Sequence, residues 1–145
     1  MSAIVNHVGL AVSDLEKSRR FYEEVLDFEF KNEITVPDGA VSHMFALEQP
    51  IGMRAAYLVR DGWVLELMAF ERGGVAEARD RAFNEQGLTH ISVCVDDITD
   101  AESKAAAYGG EVLADRGYKE MVSLIRDPDG QLIELLPMTY RDTLG

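Results

Sequence analysis

The chain has 145 residues, of which 47% are hydrophobic and 28% charged, so it is long enough for a domain with its own core. Its 14 basic and 26 acidic residues give a net charge of −12, which disfavours binding to nucleic acids and to anionic membranes. The single Cys94 cannot form an internal disulfide, and no signal peptide is visible, so a cytoplasmic location is expected.

The residue pattern in the first half of the chain predicts a strand, a helix and further strands. Residues 4–12 alternate with period two and place His7, Gly9 and Ala11 on one face. Ser13 or Asp14 can cap a following helix of about three turns. Strands are predicted over residues 27–36, 41–49, 53–59 and 63–70, with turns at 37–39 and 60–62.

The second half repeats this layout after a charged segment over 71–87, which is predicted to be a linker with at most a helical turn. A strand at 89–95 places His90, Ser92 and Cys94 on one face and is followed by a capped helix that ends at Gly109. Further strands are predicted over 111–115, 118–127 and 131–137, with a turn at 127–130.

Each half contains one histidine at the start of its first strand and one glutamate inside its last strand. His7 and Glu66 hold these positions in the first half, and His90 and Glu134 hold them in the second. Fewer residues separate the histidine from the glutamate in the second half than in the first, and most of the difference falls in the loops around 37–53. Such recurrence indicates an internal repeat.

A carboxylate among aliphatic residues of a buried strand is costly unless it is paired or binds a metal. For a single histidine or glutamate, an ordinary structural or exposed position is the simpler interpretation. Recurrence of both favours a shared site, because two imidazoles and two carboxylates suit one divalent ion such as Zn²⁺, Ni²⁺, Co²⁺, Mn²⁺ or Fe²⁺. The predicted metal ligands are His7, Glu66, His90 and Glu134.

Four segments between Asn6 and Pro137 resemble the vicinal oxygen chelate superfamily, which includes glyoxalases, bleomycin resistance proteins and extradiol dioxygenases. These segments are "NHVGLAVSDLEKSRRFYEEVLDFE", "VLELMAF", "LTHISVCVDDI" and "RDPDGQLIELLP". The resemblance implies an α+β fold in which two tandem βαβββ modules form a half-closed mixed β-barrel around the metal site. It divides the single domain 1–145 into module one (1–72), a linker (73–86), module two (87–138) and a tail (139–145), and it implies a homodimer.

The four-ligand set is most similar to that of glyoxalase I or methylmalonyl-CoA epimerase. It implies a lyase or isomerase acting on a small-molecule carbonyl or thioester through an enediolate or enolate. In this interpretation Glu134 is the leading base and Glu66 is a ligand or second base. The alternatives are an Fe(II) extradiol dioxygenase and a non-enzymatic small-molecule binding or resistance protein of the same fold.

Two further expectations concern substrate. His43, on the predicted strand 41–49, is a candidate for substrate contact, although an ordinary strand histidine is the simpler interpretation. The first strand lacks the basic residue with which glyoxalase I usually helps to hold the carboxylates of glutathione. Arg54, Arg60 and Arg116 are therefore the candidates to replace it.

Overall fold

The computed structural model describes residues 2–79, 81–118 and 121–143. The chain divides into two compact units, of which the first consists of Met1–Arg19 and Asp27–Glu77. The second consists of Arg20–Leu26 and Ala78–Gly145. Each unit contains one four-stranded sheet.

The first sheet comes from the N-terminal half of the chain. Its elements are β1 (Val8–Ala11), α1 (Leu15–Leu26), β2 (Glu29–Val36), α2 (Asp38–Phe45), β3 (Met53–Arg60) and β4 (Trp63–Phe70). The strand order is β1-β4-β3-β2, with β1 and β4 parallel and the other neighbours antiparallel. A parallel pair requires a long crossover, and the segment containing α1, β2 and β3 supplies it.

The second sheet repeats this arrangement. Its elements are β5 (Ile91–Val95), α3 (Ile98–Ala107), β6 (Glu111–Val112), β7 (Ser123–Arg126) and β8 (Leu132–Pro137), followed by a short 3-10 helix (Met138–Tyr140). The order is β5-β8-β7-β6, with β5 and β8 parallel. The predicted α+β fold of two βαβββ modules is confirmed, and each sheet is open with two edge strands. The exact module boundaries stay a prediction.

Both crossover helices begin at an aspartate. The side chain of Asp14 accepts a hydrogen bond from the backbone N–H of Lys17 at 2.9 Å, and the side chain of Asp97 accepts one from Asp100 at 3.0 Å. Each bond satisfies a donor that the first helical turn leaves without a partner. The helix predicted after Ser13 is therefore confirmed, and Asp14 is its cap.

A tight hairpin sets the register of β3 and β4. Asp61 and Gly62 form its turn with φ values of 47° and 80°, the left-handed pair that suits a two-residue hairpin. This turn pairs Arg60 with Trp63 and therefore brings Tyr57 opposite Glu66. The predicted turn at 60–62 is confirmed, and its geometry decides which side chain faces the glutamate.

The strand predicted over 41–49 is wrong, because residues 38–45 form α2. Pro37 precedes the helix with φ −58°, and the Asp38 carboxylate accepts hydrogen bonds from the backbone N–H groups of Ile51 and Gly52. Val41 is fully buried against a small apolar cluster that includes Ile51. These anchors come from residues beyond the helix, so local alternation does not reveal them.

Other strands are shorter than predicted. The strand expected over 111–115 is limited to Glu111–Val112, and that over 118–127 to Ser123–Arg126. Residues 119 and 120 lie outside the described residues. The predicted linker contains no helix or strand over 71–79 or 81–87. In the described part of the chain the longest helix has 12 residues, and none has the length and apolar composition to cross a membrane.

Candidate functional site

The first histidine and glutamate meet on one face of the first sheet. Glu66 lies inside β4, with Gly9 of the parallel strand β1 directly beside it. His7 directly precedes β1, and its Nε2 lies 3.2 Å from Glu66 Oε2. Glu66 is only 8% exposed, so its carboxylate requires polar or cationic partners.

The other ring nitrogen of His7 is fixed by its neighbour. His7 Nδ1 lies 2.6 Å from the side-chain oxygen of Asn6. An amide oxygen only accepts, so Nδ1 donates this bond. In the neutral ring, the lone pair of Nε2 is then directed to the side where Glu66 lies, as a metal-binding imidazole requires.

Glu66 also accepts a hydrogen bond from the strand on its other side. The Tyr57 hydroxyl of β3 donates to Glu66 Oε1 at 2.6 Å. This bond, followed by burial and the charge of the carboxylate, raises the pKa of Tyr57 to about 12. The Tyr57 ring also meets the His7 ring edge to face, with centroids 5.9 Å apart. The three side chains form one connected group.

The second pair lies at the equivalent place in the second sheet. His90 Nε2 lies 3.7 Å from Glu134 Oε2, and the Ser92 hydroxyl of β5 donates to the same oxygen at 2.6 Å. The Thr89 hydroxyl lies 2.8 Å from His90 Nδ1, and the Phe83 ring lies 5.5 Å from the His90 ring. The Glu134 side chain is 28% exposed, whereas that of Glu66 is 11% exposed.

The donor atoms of each pair suit a divalent metal ion. Two nitrogen or oxygen ligands of one such ion lie about 3.0–3.4 Å apart when their bonds are near 2.1 Å. The pair of His7 and Glu66 matches this spacing at 3.2 Å, and that of His90 and Glu134 is slightly wider at 3.7 Å. Within either unit, as far as it is described, no group of three or more His, Cys, Asp or Glu side chains could hold a metal ion. Each module therefore contains one such pair.

The predicted division of strand faces agrees with the burial of β1 and β5. His7, Gly9 and Ala11 are exposed, whereas Val12 is buried. In β5, Ile91 is buried and Ser92 is exposed, but Val93, Cys94 and Val95 are all half-buried. The histidine-bearing face is therefore the more open one throughout β1 and at the start of β5.

His43 is exposed on α2 and not on a strand. Its predicted contact with substrate stays a prediction. The helix that carries it lies in the segment between β2 and β3, and the described residues between β6 and β7 form no helix.

The arginines considered for substrate carboxylates are largely engaged by other groups. Arg54 binds the carboxylates of Glu71, Glu16 and Glu33 together, and these bonds raise its pKa. Arg60 donates to the backbone carbonyl of Asp27 at 3.0 Å. Arg54 therefore serves as the centre of a carboxylate cluster.

Two side chains at the site were not predicted as partners of the glutamates: Tyr57, which no motif marked, and Ser92, which was expected only to be small. Tyr57 could have been found, because a two-residue turn at Asp61 and Gly62 fixes the pairing of position 57 with 66. Ser92 could not be paired with Glu134 in this way, because β5 and β8 are parallel and joined by a long crossover.

The chain matches a known protein family and several known proteins. The family described as Glyoxalase/Bleomycin resistance protein/Dioxygenase superfamily matches residues 4–135. A lactoylglutathione lyase of Pseudomonas putida is 30% identical over 151 residues, which cover 94% of this chain and 86% of the relative.

Solved structures share the fold. A glyoxalase family protein from Bacillus cereus superposes with a TM-score of 0.77 at 22% identity over 92% of each chain. The fosfomycin resistance protein FosX from Listeria monocytogenes, solved with Mn(II) and sulfate, gives a TM-score of 0.64 at 19% identity over 100% of each chain. Because the family model matches residues 4–135, the chain belongs to the glyoxalase, bleomycin resistance protein and dioxygenase superfamily.

Proposed function

We propose that this protein is a divalent-metal-dependent lyase or isomerase of the glyoxalase or epimerase type, which removes a proton from the carbon next to a carbonyl group. The observation that carries the proposal is the repeated pair: both modules bring one histidine nitrogen within 3.2 or 3.7 Å of one glutamate oxygen. The lactoylglutathione lyase of Pseudomonas putida, 30% identical, supports this class of reaction.

The proposed metal ligands are His7, Glu66, His90 and Glu134, one pair from each module. A divalent ion, whether Zn, Ni, Co, Mn or Fe, would polarise the substrate carbonyl and stabilise the negative charge that develops there. The pairs can come from one chain or from two copies of it. We expect a homodimer from the family resemblance, which light scattering on the purified protein will test.

The contacts of the two glutamates suggest different roles. Both oxygens of Glu66 have partners, since Oε1 accepts from Tyr57 and Oε2 faces His7. In Glu134, Ser92 and His90 both lie on the side of Oε2. Oε1 of Glu134 is thus the oxygen better placed to accept a substrate proton. We therefore assign Glu134 as the base in addition to its role as a ligand, and Glu66 as a ligand only.

The substrate is proposed to be a small carbonyl compound or thioester. Arg54 is held by three carboxylates, and β1 carries no basic side chain, so neither offers a free cation to a glutathione carboxylate. Of the three arginines considered, Arg60 and Arg116 therefore remain the candidates to bind an anionic group of the substrate.

The test combines metal analysis with an exchange assay. Elemental analysis of the purified protein measures the metal bound per chain. Protein reconstituted with Ni²⁺, Co²⁺ or Zn²⁺ is then incubated in D₂O with hemithioacetals and thioesters, and deuterium at the α-carbon is followed by NMR. We expect bound metal and exchange that falls by about 10²- to 10⁴-fold in Glu134→Gln, since general base catalysis has that magnitude.

Glu29→Gln is the matched control, because Glu29 is an exposed edge-strand glutamate paired with Lys31. The Glu29→Gln variant should catalyse deuterium exchange at the α-carbon at the wild-type rate. Absence of metal and of exchange after reconstitution would refute the proposal. Oxygen uptake with catechols, or ligand-induced stabilisation without turnover, would instead favour the dioxygenase or the binding protein.

A further inference from the structure

The two proposed glutamate ligands occupy the same place in their sheets but are held from opposite sides. In the first sheet Glu66 is flanked by Gly9 on β1 and Tyr57 on β3. In the second sheet Glu134 is flanked by Ser92 on β5 and Leu124 on β7. The hydroxyl lies on the antiparallel neighbour in one module and on the parallel neighbour in the other.

Strand β1 offers Glu66 no hydroxyl, because its four residues are Val, Gly, Leu and Ala and the residue beside Glu66 is Gly9. A Cβ atom on Gly9 would lie 2.8 Å from Met68 Cε and 3.4 Å from Glu66 Oε2. The atom that would have to move is the flexible end of the Met68 side chain, so the cost of that movement is small. Tyr57 is therefore the hydroxyl donor that Glu66 receives from its neighbouring strands.

The opposite arrangement holds at Glu134. Ser92 donates to Oε2, and the aliphatic side chain of Leu124 has no group to donate to Oε1. Glu134 is also more exposed, with 28% of its side chain accessible against 11% for Glu66. Each glutamate accepts one side-chain hydrogen bond, but Tyr57 binds the oxygen of Glu66 that is not beside His7, whereas Ser92 binds the oxygen of Glu134 that is beside His90.

We propose that Tyr57 is a positioning residue that fixes Glu66 as a stationary, one-oxygen metal ligand. Its hydroxyl occupies Oε1, so Glu66 presents only Oε2, beside His7. In module two Leu124 offers no hydrogen bond to Oε1 of Glu134, and Ser92 binds Oε2, so Oε1 is the oxygen left to act as the base. This inference rests on the proposed metal-dependent function.

The experiment compares the metal affinity of Tyr57→Phe, Ser92→Ala and Tyr108→Phe with that of the wild type. Tyr108→Phe is the matched control, because it removes a hydroxyl and keeps the ring that lies 5.6 Å from the Arg20 guanidinium. Zn²⁺ and Co²⁺ alone are titrated in competition with a chromophoric chelator, and the absorption spectrum of the Co²⁺ form reports the ligand field. Circular dichroism checks that each variant is folded.

Tyr57→Phe should lower metal affinity by about tenfold or more and alter the Co²⁺ spectrum, because loss of a partner to a ligand has effects of that size. Ser92→Ala should lower metal affinity by less than Tyr57→Phe and lower kcat with little change in KM. Tyr108→Phe should behave as wild type. Wild-type affinity and spectrum in Tyr57→Phe would overturn the inference.

A double-mutant cycle separates positioning from general packing. If Tyr57 acts through Glu66, Tyr57→Phe should have little further effect on metal affinity in a Glu66→Gln background. Independent, additive losses would overturn the inference, and this comparison remains informative if Tyr57→Phe alone is less stable. A wild-type protein that binds no metal would refute the proposed function itself, which is a different result from equal binding by wild type and Tyr57→Phe.

Discussion

The two modules share their strand order and the position of their histidine and glutamate, but they differ in what surrounds each glutamate. Module one encloses Glu66 with a tyrosine hydroxyl, whereas module two leaves Glu134 more exposed beside a serine. Module one also carries α2 between β2 and β3, whereas in module two residues 113–118 and 121–122, between β6 and β7, contain no helix. A repeated backbone therefore gives equivalent places without equivalent chemistry, because side chains of neighbouring strands decide the environment.

We expect the largest loss of stability from substitutions in the apolar cores of the two modules, and comparing these losses tests whether the cores are equivalent. Leu67 and Leu135 each follow the module's glutamate, and both are fully buried. We expect Leu67→Ala and Leu135→Ala each to lower the free energy of unfolding by about 2–5 kcal/mol, through lost apolar contact and the cavity left behind. Urea unfolding followed by circular dichroism measures both. A cost below about 1 kcal/mol in only one variant would show that the cores are not equivalent.

The two crossover helices differ at one buried position, and we expect the next largest effect there. The buried Tyr22 hydroxyl of α1 donates to Asp127 at 2.8 Å, whereas Ala105 holds the matching place in α3. Burial raises the pKa of Asp127, although hydrogen bonds, including that from Tyr22, oppose the shift. Tyr22→Phe should therefore cost about 1–3 kcal/mol at pH 7 and raise this pKa further.

The sign of the pH dependence follows from that direction. A carboxyl whose folded pKa lies above its unfolded value favours the folded state as it becomes protonated, so the cost of the charged Asp127 is relieved as pH falls through the folded pKa. The difference between Tyr22→Phe and wild type should be smaller near pH 4 than at pH 7. Unfolding curves at both values test this, and a larger difference in acid would contradict it.

A smaller effect is expected at Arg54, the centre of a carboxylate cluster in module one. Tyr57 and Leu124 lie opposite the two glutamates, so the position that corresponds to Arg54 in module two is Met121. Arg54→Met should lower stability by about 1–2 kcal/mol, because partly exposed ion pairs contribute up to about 1 kcal/mol each. The loss should shrink at high salt, and KM should not change. A raised KM with unchanged stability would instead make Arg54 a substrate contact.

The smallest effect tests the feature that the modules share most closely. Asp14 and Asp97 each accept a hydrogen bond from the backbone N–H three residues ahead, at 2.9 and 3.0 Å. Asp14→Ala and Asp97→Ala should each cost about 1 kcal/mol, as is usual for a helix cap. Thermal unfolding should show similar shifts, and costs that differ by more than about 1 kcal/mol would mean that one cap has a second role.

Local patterns in the sequence accounted for most of the fold. Alternation identified β1 and β5, the aspartate caps marked both crossover helices, and Asp61 with Gly62 marked the β3–β4 hairpin. The strand predicted over 41–49 failed because Asp38 anchors α2 to the backbone of Ile51 and Gly52. That anchor depends on residues more than ten positions away, which a local pattern does not contain.

By itself, the sequence determined that the chain repeats a βαβββ layout, and that each copy carries one histidine and one glutamate at matching positions. Periodicity of two or 3.6 residues is a short-range property, so it is written in consecutive letters. The turn at Asp61 and Gly62 already places Tyr57 opposite Glu66, whereas only the tertiary structure decided that Ser92 holds Glu134. For Ser92 the physical reason is the crossover: β5 and β8 are parallel, and no turn between them fixes which residues become neighbours.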